Sequence, residues 1–394
     1  MAGKGYDYDV CNEEVLLTRV SVKNGKLVLP DGMSYHLLVL RENTSMPVPV
    51  LQKLKELVLA GATIIGPRPE KDSGLKDYPQ CDTRVLELAA SIWGKCDGTT
   101  IKQNVVGKGK IYWNVHILEV LKEKGVGPDF ICDNDNAFID FIHRSISDTE
   151  VYFVANRNKR DEQVNCRFRI SGGQPEIWDA TTGETIPVKA ATQAEGYTTI
   201  PLQFAPFQSW FIVFKKGALK KPVVAKKATA NFLSYTPVQE LTGAWTVHFD
   251  TAWGGPANVE FPVLEDWTKR PEEAIKYYSG KAVYEKRFDA GGIQPGVPYF
   301  LETGVVHNIA EIKLNGKALG ILWTAPWRVE VTGLLQPTGN VLEIAVVNCW
   351  PNRLIGDAAL PAEKRLTHTN IVFKPDAPLM PSGLLGPVVI AKGG

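Results

Sequence analysis

The clearest pattern of apolar and polar positions in the chain lies in residues 312–357. Apolar residues alternate with other residues in three short runs, which are Ile312/Leu314, Trp327/Val329/Val331 and Leu342/Ile344/Val346. This period of two is typical of antiparallel strands with one buried face, because successive side chains of a strand point to opposite sides. Asn315-Gly316 predicts a tight hairpin turn, because both central residues of a type I′ turn need positive φ.

The same stretch ends in a cluster of mixed chemistry, formed by Trp350, Asn352, Arg353 and Asp357. An indole, an amide, a guanidinium group and a carboxylate at the rim of a β-sandwich are suited to gripping a hydroxylated ligand. The same groups could instead cap and brace their own loop. The spacing favours bracing over binding, and both interpretations stay open.

Residues 1–128 follow a different pattern, in which strands and helices alternate. Apolar runs predict three strands, over residues 35–40, 62–66 and 109–113. Helical spacing of apolar residues predicts three helices, over residues 51–59, 83–93 and 115–124. Repeated β–α units of this length predict a small doubly wound parallel α/β domain of the flavodoxin or amidotransferase-like kind.

This first block offers weak candidates for chemistry. Gly107-Lys108-Gly109 leads into a strand, whereas phosphate binding needs a helix N-terminus after the glycines. An amidotransferase nucleophile needs a cysteine on a tight strand-to-helix elbow, and neither Cys81 nor Cys96 has that context. We therefore expect no catalytic site in this block.

Short strands separated by turn residues fill the rest of the chain. Residues 129–216 predict a small antiparallel β-sandwich, with a turn at residues 179–183. The basic, Pro- and Ala-rich residues 217–232 predict a solvated linker. Residues 233–394 predict a second sandwich, of jelly-roll type. The predicted fold class is therefore multidomain, with one α/β domain followed by two β-sandwiches.

Composition narrows the function classes. With 44 Lys and Arg against 43 Asp and Glu, the net charge of +1 gives no electrostatic case for nucleic acid or an anionic membrane as partner. The six cysteines are scattered without CxxC or Cys/His spacing, which argues against structural zinc. No signal peptide or membrane-spanning run is recognised, so we expect a cytoplasmic protein or one whose export signal lies outside this sequence.

Several long motifs carry a family resemblance. DGMSYHLLVL and AGATIIGPRPEKDSGL resemble the segment that follows the catalytic barrel in α-L-rhamnosidases of glycoside hydrolase family 106, and FIHRSISDTEVYFVANR and QPEIWDATTG resemble the next β-domain of that family. WTVHFDTAWGGP, NGKALGILWTAPWRVEVTGLL and NCWPNRLIGD resemble its C-terminal sandwich, which is of the galactose-binding-like type shared with the sugar-binding domain of family 2 hydrolases.

The resemblance implies a catalytic site that lies outside the three blocks described above. Its catalytic glutamates lie on a (β/α)₈ barrel of roughly 250 residues before the first block, and they have no matching positions in this sequence. The resemblance also implies an active-site calcium ion, whose ligands it does not assign here, and a secreted or periplasmic location.

Carboxylates of the last block are weak candidates for catalysis. Glycoside hydrolysis needs two carboxyl groups, roughly 5–5.5 Å apart for retention or 6.5–9.5 Å apart for inversion. Glu302 at a strand end, Asp266 in a loop and Asp357 are the candidates, whereas Glu285 and Glu311 are better explained as strand-face residues.

Three functions remain open. The first is an accessory region that supports a barrel and binds a rhamnose-containing or other plant or bacterial glycan. Its predicted carbohydrate contacts are Trp253, Trp267, Tyr278, Trp323, Trp350, Asn352, Arg353 and Asp357. The second is a stand-alone glycoside hydrolase with a site built from the carboxylates of the β-domains. The third is a protein-interaction module, with self-association through a surface that a barrel would cover.

Overall fold

The computed structural model describes residues 5–215 and 230–394, which form two compact units, residues 1–129 and 130–394. Most of the predicted linker, residues 217–229, lies outside the described residues. In the described part of the chain, no helix is long and apolar enough to cross a membrane.

The first unit combines four helices with seven short strands. The helices are α1 (Glu13–Thr18), α2 (Val48–Ala60), α3 (Gln80–Trp93) and α4 (Ile117–Glu123). The strands are β1 (Ser21–Lys23), β2 (Lys26–Val28), β3 (Ser34–Tyr35), β4 (Leu38–Val39), β5 (Thr63–Ile65), β6 (Gln103–Val106) and β7 (Gly109–Tyr112). Strands β1 to β3 form one antiparallel sheet, and the other four form a sheet in the order β4-β5-β7-β6.

The second sheet of this unit has the parallel core that the sequence predicts. β4, β5 and β7 run parallel, with Leu38 beside Ile64 and Ile64 beside Ile111. Helix α2 buries Leu51, Leu54 and Val58, which lie three or four residues apart and therefore share one helix face. The parallel sheet with helices is as expected, and its assignment as flavodoxin-like stays a prediction.

Two local predictions for this unit are wrong. The strand predicted over residues 35–40 is split, because Tyr35 pairs with Leu27 in the antiparallel sheet and only Leu38 and Val39 join the parallel one. The strand before residue 109 was missed: β6 pairs antiparallel with β7 across a hairpin at residues 107–108. Gln103 and Asn104 at the start of β6 hide it from a search for apolar runs.

The second unit begins with nine strands in two facing sheets. They are β8 (Phe130–Cys132), β9 (Ile139–Ile146), β10 (Thr149–Asn156), β11 (Glu162–Phe168), β12 (Gln174–Trp178), β13 (Thr185–Pro187), β14 (Thr192–Ala194), β15 (Tyr197–Phe204) and β16 (Ser209–Lys215). The sheet orders are β13-β12-β16-β10-β9 and β14-β15-β11-β8. Buried and half-buried residues alternate along β10 and β15, and the buried ones fill one core with Tyr152, Phe168 and Phe214.

Twelve further strands and two helices follow in the same unit. They are β17 (Tyr235–Glu240), β18 (Trp245–Phe249), β19 (Val259–Phe261), α5 (Glu273–Lys276), β20 (Lys281–Phe288), β21 (Tyr299–Glu302), β22 (Val305–His307), β23 (Ile309–Leu314), β24 (Lys317–Leu322), β25 (Arg328–Glu330), β26 (Asn340–Val347), α6 (Pro351–Ala358), β27 (Gly383–Gly386) and β28 (Val389–Gly393). Short 3₁₀ turns lie at Thr251–Trp253, Trp267–Lys269 and Ala362–Lys364.

These strands form two main sheets, ordered β17-β28-β21-β25 and β19-β18-β20-β26-β23-β24, and the pair β22-β27. Their inward-facing residues share one core that contains Trp245, Trp267 and Tyr284. The hairpin at Asn315-Gly316 is confirmed: it joins β23 to β24, with φ of +51° and +78°.

The predicted fold class is confirmed, since an α/β unit is followed by antiparallel sandwich-like sheets. The jelly-roll type of the last sandwich and the boundaries at residues 128, 216 and 232 stay predictions.

Candidate functional site

One end of the six-stranded sheet collects loops from five of its strands. Phe249 pairs with Ala282, Lys281 pairs with Val347, and Ala310 lies between Val346 and Leu322. The loops after β18, β24 and β26 and those before β20 and β23 therefore leave the sheet at the same end. Each of the three outgoing loops carries an exposed tryptophan, and we call Trp253, Trp323 and Trp350 the aromatic rim.

Trp253 and Trp350 form an exposed pair within this rim. Their ring centroids lie 5.4 Å apart with an interplanar angle of 83°, the edge-to-face arrangement that aromatic quadrupoles favour. The Asp250 side chain accepts a hydrogen bond from the backbone N–H of Ala252 and so fixes the 3₁₀ turn that carries Trp253, and Trp350 is the residue before α6. The side chains are 39% and 53% exposed, so the pair presents ring surface to solvent.

Trp323 is the most exposed member of the rim, at 59%. It follows β24, the edge strand, which lies two strands from β26 in the sheet. Neighbouring strands are about 4.8 Å apart, so the strand ends that carry Trp323 and Trp350 are separated by about 10 Å.

Polar groups lie between these strand ends. A cis peptide bond joins His307 to Asn308, just before β23. The Asn308 N–H donates to the Val347 carbonyl at 2.9 Å, and the Cys349 thiol lies 3.2 Å from the Asn308 side-chain oxygen. The rim thus combines apolar ring faces with an amide group and backbone polar groups.

Two aromatic residues predicted to contact carbohydrate lie in the core. Trp267 and Tyr278 have no exposed surface. The Trp267 indole donates to the Tyr284 hydroxyl at 2.5 Å, and the Tyr278 hydroxyl donates to the Lys281 carbonyl at 2.8 Å. Burial also raises the pKa of Tyr278. With no accessible ring face, neither residue fits the predicted role of a carbohydrate contact.

The polar members of the 350–357 cluster point inward as well. The Asn352 amide donates to the Met380 carbonyl at 2.7 Å, and its oxygen accepts from the Met380 N–H at 2.8 Å. Arg353 Nε lies 3.1 Å from Asp357 Oδ1 in a buried ion pair that lacks hydrogen-bond geometry. Asp357 Oδ2 accepts from the N–H and the hydroxyl of Thr367, at 2.8 and 2.6 Å. These side chains attach α6 to the segments that follow it, as the bracing interpretation expects.

The candidate catalytic carboxylates are also engaged in structural contacts. Glu302 accepts two contacts from the Arg328 guanidinium group, at 2.6 and 2.8 Å. Asp266 is 7% exposed and accepts from the N–H groups of Thr268 and Ser382, both at 3.0 Å. Asp357 is paired as described above. Glu311 pairs with Lys281 at 3.1 Å, as expected for a strand-face residue.

The described residues offer no cluster of carboxylates of the kind that usually holds calcium. Within residues 5–215 and 230–394, no three side chains of the His, Cys, Asp and Glu types converge as metal ligands would.

The first unit contains a cleft of about 510 Å³ beside α4. The Glu123 carboxylate on its wall accepts from Lys110 at 2.6 Å and from the Tyr112 hydroxyl at 2.9 Å. The hydrogen bond from Lys110 is the main cause that lowers the pKa of Glu123. This carboxylate is neutralised within the protein, so the aromatic rim remains the stronger candidate site.

Sequence reasoning missed the residues that hold the rim in place. The Asn348 amide donates to the Tyr278 carbonyl and to the Ser382 hydroxyl, at 2.9 and 3.0 Å. The Ser279 hydroxyl donates to the Cys349 carbonyl at 2.9 Å and accepts from the Arg353 N–H at 3.2 Å. The partners are about 30 to 75 residues apart in the chain, and no local pattern joins them.

Comparisons with known proteins agree with the resemblance of the motifs. The chain is similar to the structure of a rhamnosidase from Novosphingobium sp. PP1Y, with a TM-score of 0.80 and 32% identity over 99% of this chain and 36% of that chain. It is 24% identical to a putative beta-glucuronidase of Formosa agariphila, over 98% of this chain and 53% of that protein. The chain thus spans about half the length of this curated relative.

The family comparison is the most specific. Residues 1–192 match the model of glycoside hydrolase family 106, described as alpha-L-rhamnosidase. The resemblance predicted from the motifs is confirmed, and this chain contains a glycoside hydrolase family 106-like region.

Proposed function

We propose that this chain binds carbohydrate through the aromatic rim, as the accessory part of an α-L-rhamnosidase-like protein. The observation that carries the proposal is the presence of three exposed tryptophans, Trp253, Trp323 and Trp350, at one end of one sheet. Exposed apolar groups gathered in one place are typical of ligand or partner sites.

The chemistry of the rim matches that of a sugar. A pyranose ring has C–H faces that are apolar and a periphery of hydroxyl groups. Indole rings offer large flat surfaces for the C–H faces. Asn308 and the backbone groups beside it can exchange hydrogen bonds with the hydroxyl groups, which gives the mixture of apolar walls and few polar groups found in ligand sites.

The layout of the rim favours an oligosaccharide over a single sugar. Trp253 and Trp350 are nearly perpendicular, so one pyranose ring stacks on only one of them. Trp323 belongs to a strand end about 10 Å from that of Trp350. A glycan that contacts both needs more than one residue, and we propose a rhamnose-containing oligosaccharide on the basis of the family resemblance.

The contacts of the carboxylates support binding over hydrolysis. A general acid must protonate a leaving group and a nucleophile or base must reach the sugar or a water molecule. Glu302 is held by Arg328, and Asp266 and Asp357 are buried and accept hydrogen bonds from backbone N–H groups. These contacts favour structural roles for all three groups.

Calorimetric titration of the full chain with rhamnose-containing oligosaccharides tests the proposal. We expect saturable binding that Trp350→Ala and Trp323→Ala each weaken by about tenfold, which corresponds to about 1.4 kcal/mol. Trp178→Ala is the matched control, because Trp178 is 39% exposed, as Trp253 is, but lies in β12 of the preceding sandwich. The control variant should bind as the parent chain does.

Two outcomes would contradict the proposal. One is the absence of heat at millimolar oligosaccharide. The other is release of nitrophenol from an aryl α-L-rhamnoside by the full chain, lost in Glu302→Gln or Asp357→Asn, which would favour the hydrolase alternative. Light scattering of the same variants tests self-association, since a protein-contact role predicts that the tryptophan substitutions change the molecular mass in solution.

A further inference from the structure

We propose that Cys132 and Cys166 are an oxidation site, at which a cross-strand disulfide fastens β8 to β11. Both cysteines belong to the first sandwich of the second unit. The site is distinct from the aromatic rim and does not depend on carbohydrate binding.

The strand register places the two residues face to face. Cys132 and Cys166 are direct partners in the antiparallel pair of β8 and β11. The next pair along is hydrogen-bonded, because the Asp133 N–H donates to the Asn165 carbonyl at 3.2 Å. Hydrogen-bonded and non-hydrogen-bonded pairs alternate along an antiparallel ladder. Cys132 and Cys166 therefore form a non-hydrogen-bonded pair.

That type of pair suits a disulfide. Its Cα atoms are about 4.5 Å apart, and its side chains approach more closely than those of the hydrogen-bonded type. Disulfides span Cα separations of roughly 4.4–6.8 Å. Both side chains pack in the same core, so the sulfur atoms point to the same side of the sheet.

The two thiols differ in the way that exchange chemistry requires. Cys166 is fully buried, and burial raises the pKa of its thiol. Cys132 is only partly buried and accepts a hydrogen bond from Cys166, which lowers the pKa of Cys132 to about 7. Cys132 therefore supplies an accessible thiolate, and Cys166 lies beside it as the resolving thiol.

The oxidation balances with a small disulfide such as glutathione disulfide as oxidant. The Cys132 thiolate attacks one sulfur of glutathione disulfide, an S–S bond forms to Cys132, and glutathione leaves as a thiolate that takes up a proton. Cys166 then loses its proton and attacks Cys132 Sγ, which releases the second glutathione. The protein loses two electrons and two protons, and one glutathione disulfide becomes two thiols.

The bond would act on an edge strand. β8 has three residues and lies at the end of the sheet order β14-β15-β11-β8, so β11 is its one partner within that sheet. A covalent link closes the chain between residues 132 and 166 and limits the unfolded state. Oxidation should therefore raise the melting temperature of this unit by roughly 5 °C.

Peptide mass spectrometry of the full chain tests the proposal. The reduced protein is incubated with glutathione disulfide, alkylated with iodoacetamide and digested with trypsin. We expect the peptide of residues 125–144 to be linked to that of residues 161–167, each thiol having lost its hydrogen. Cys349→Ser should keep the link, because Cys349 is an exposed cysteine of the other sandwich, and Cys132→Ser should lose it.

The native chain alone can overturn the proposal, so the result does not depend on whether a variant folds. If both peptides carry iodoacetamide while Cys349 has reacted with glutathione, the pair does not oxidise. If Cys132 is recovered only as its glutathione adduct, Cys166 does not resolve it. Either result contradicts the assignment.

Discussion

The ion pair of Arg353 and Asp357 lies in α6, the helix that begins directly after Trp350 of the aromatic rim. The two side chains are 9% and 3% exposed, and the pair spans one turn of α6. An amide, a guanidinium group and a carboxylate in one loop suit a ligand as well as a brace, so the sequence left both roles open. The burial of these side chains favours the bracing role. Residue type alone does not predict that burial, because the segment that covers them lies far along the chain.

Asp357→Asn should destabilise the last sandwich by about 3 kcal/mol, because it leaves the Arg353 charge buried without a partner. Urea denaturation followed by tryptophan fluorescence measures the change. Lys281→Gln is the control, since it breaks the exposed pair with Glu311 and should leave the midpoint unchanged. Equal midpoints for Asp357→Asn and the parent chain would show that the buried pair does not hold α6.

The alkylation rate of Cys132 should rise with pH to half its maximum near pH 7, because the thiolate is the reactive form and its pKa is about 7. Cys166→Ala removes the S–H donor and should move this midpoint up toward the ordinary cysteine value of 9.0. Iodoacetamide labelling of the peptide of residues 125–144 measures both. The same midpoint in the two proteins would show that Cys166 does not stabilise the thiolate.

At the scale of elements, most of the predictions rested on the period of apolar residues and on the residue types at turns. Alternation identified β23 and β26, and Asn315-Gly316 identified the turn between β23 and β24. The prediction failed where one apolar run supplies two sheets, as in residues 34–39, and where β6 begins with polar residues. In both places pairing with a distant strand, which a local window does not contain, determines the structure.

Strand β27 begins at Gly383, a position where packing against Trp267 leaves no room for a side chain. Gly383 has φ of +103°, and a Cβ atom there would lie 2.5 Å from Trp267 Nε1. Gly383→Ala should cost about 4 kcal/mol, from left-handed strain and overpacking together. Gly316 also has a positive φ, of +78°, but no atom lies within 4 Å of a Cβ added there. Gly316→Ala should therefore lower the free energy of unfolding by only about 1 kcal/mol. Thermal denaturation compares them, and equal losses would contradict the role of packing.

At the scale of the whole molecule, the family resemblance and the order of α/β and all-β parts could be predicted. Long motifs and changes of hydrophobic period can both be recognised within short stretches of sequence. The aromatic rim could not be predicted. Trp253, Trp323 and Trp350 lie at the same end of the sheet because β18, β24 and β26 all terminate there, and the order of strands in a sheet is a non-local property. For the same reason the sequence grouped core residues such as Trp267 and Tyr278 with exposed ones.

The most direct test of carbohydrate binding at the rim is fluorine NMR of the full chain labelled with 5-fluorotryptophan. The ten tryptophans give resonances that single Trp→Ala variants assign. On addition of a rhamnose-containing oligosaccharide, the resonances of Trp253, Trp323 and Trp350 should shift in a saturable way, while those of the buried Trp93, Trp245 and Trp267 and of the control Trp178 stay in place. Unchanged rim resonances at saturating glycan, or shifts confined to Trp178, would contradict the proposed site.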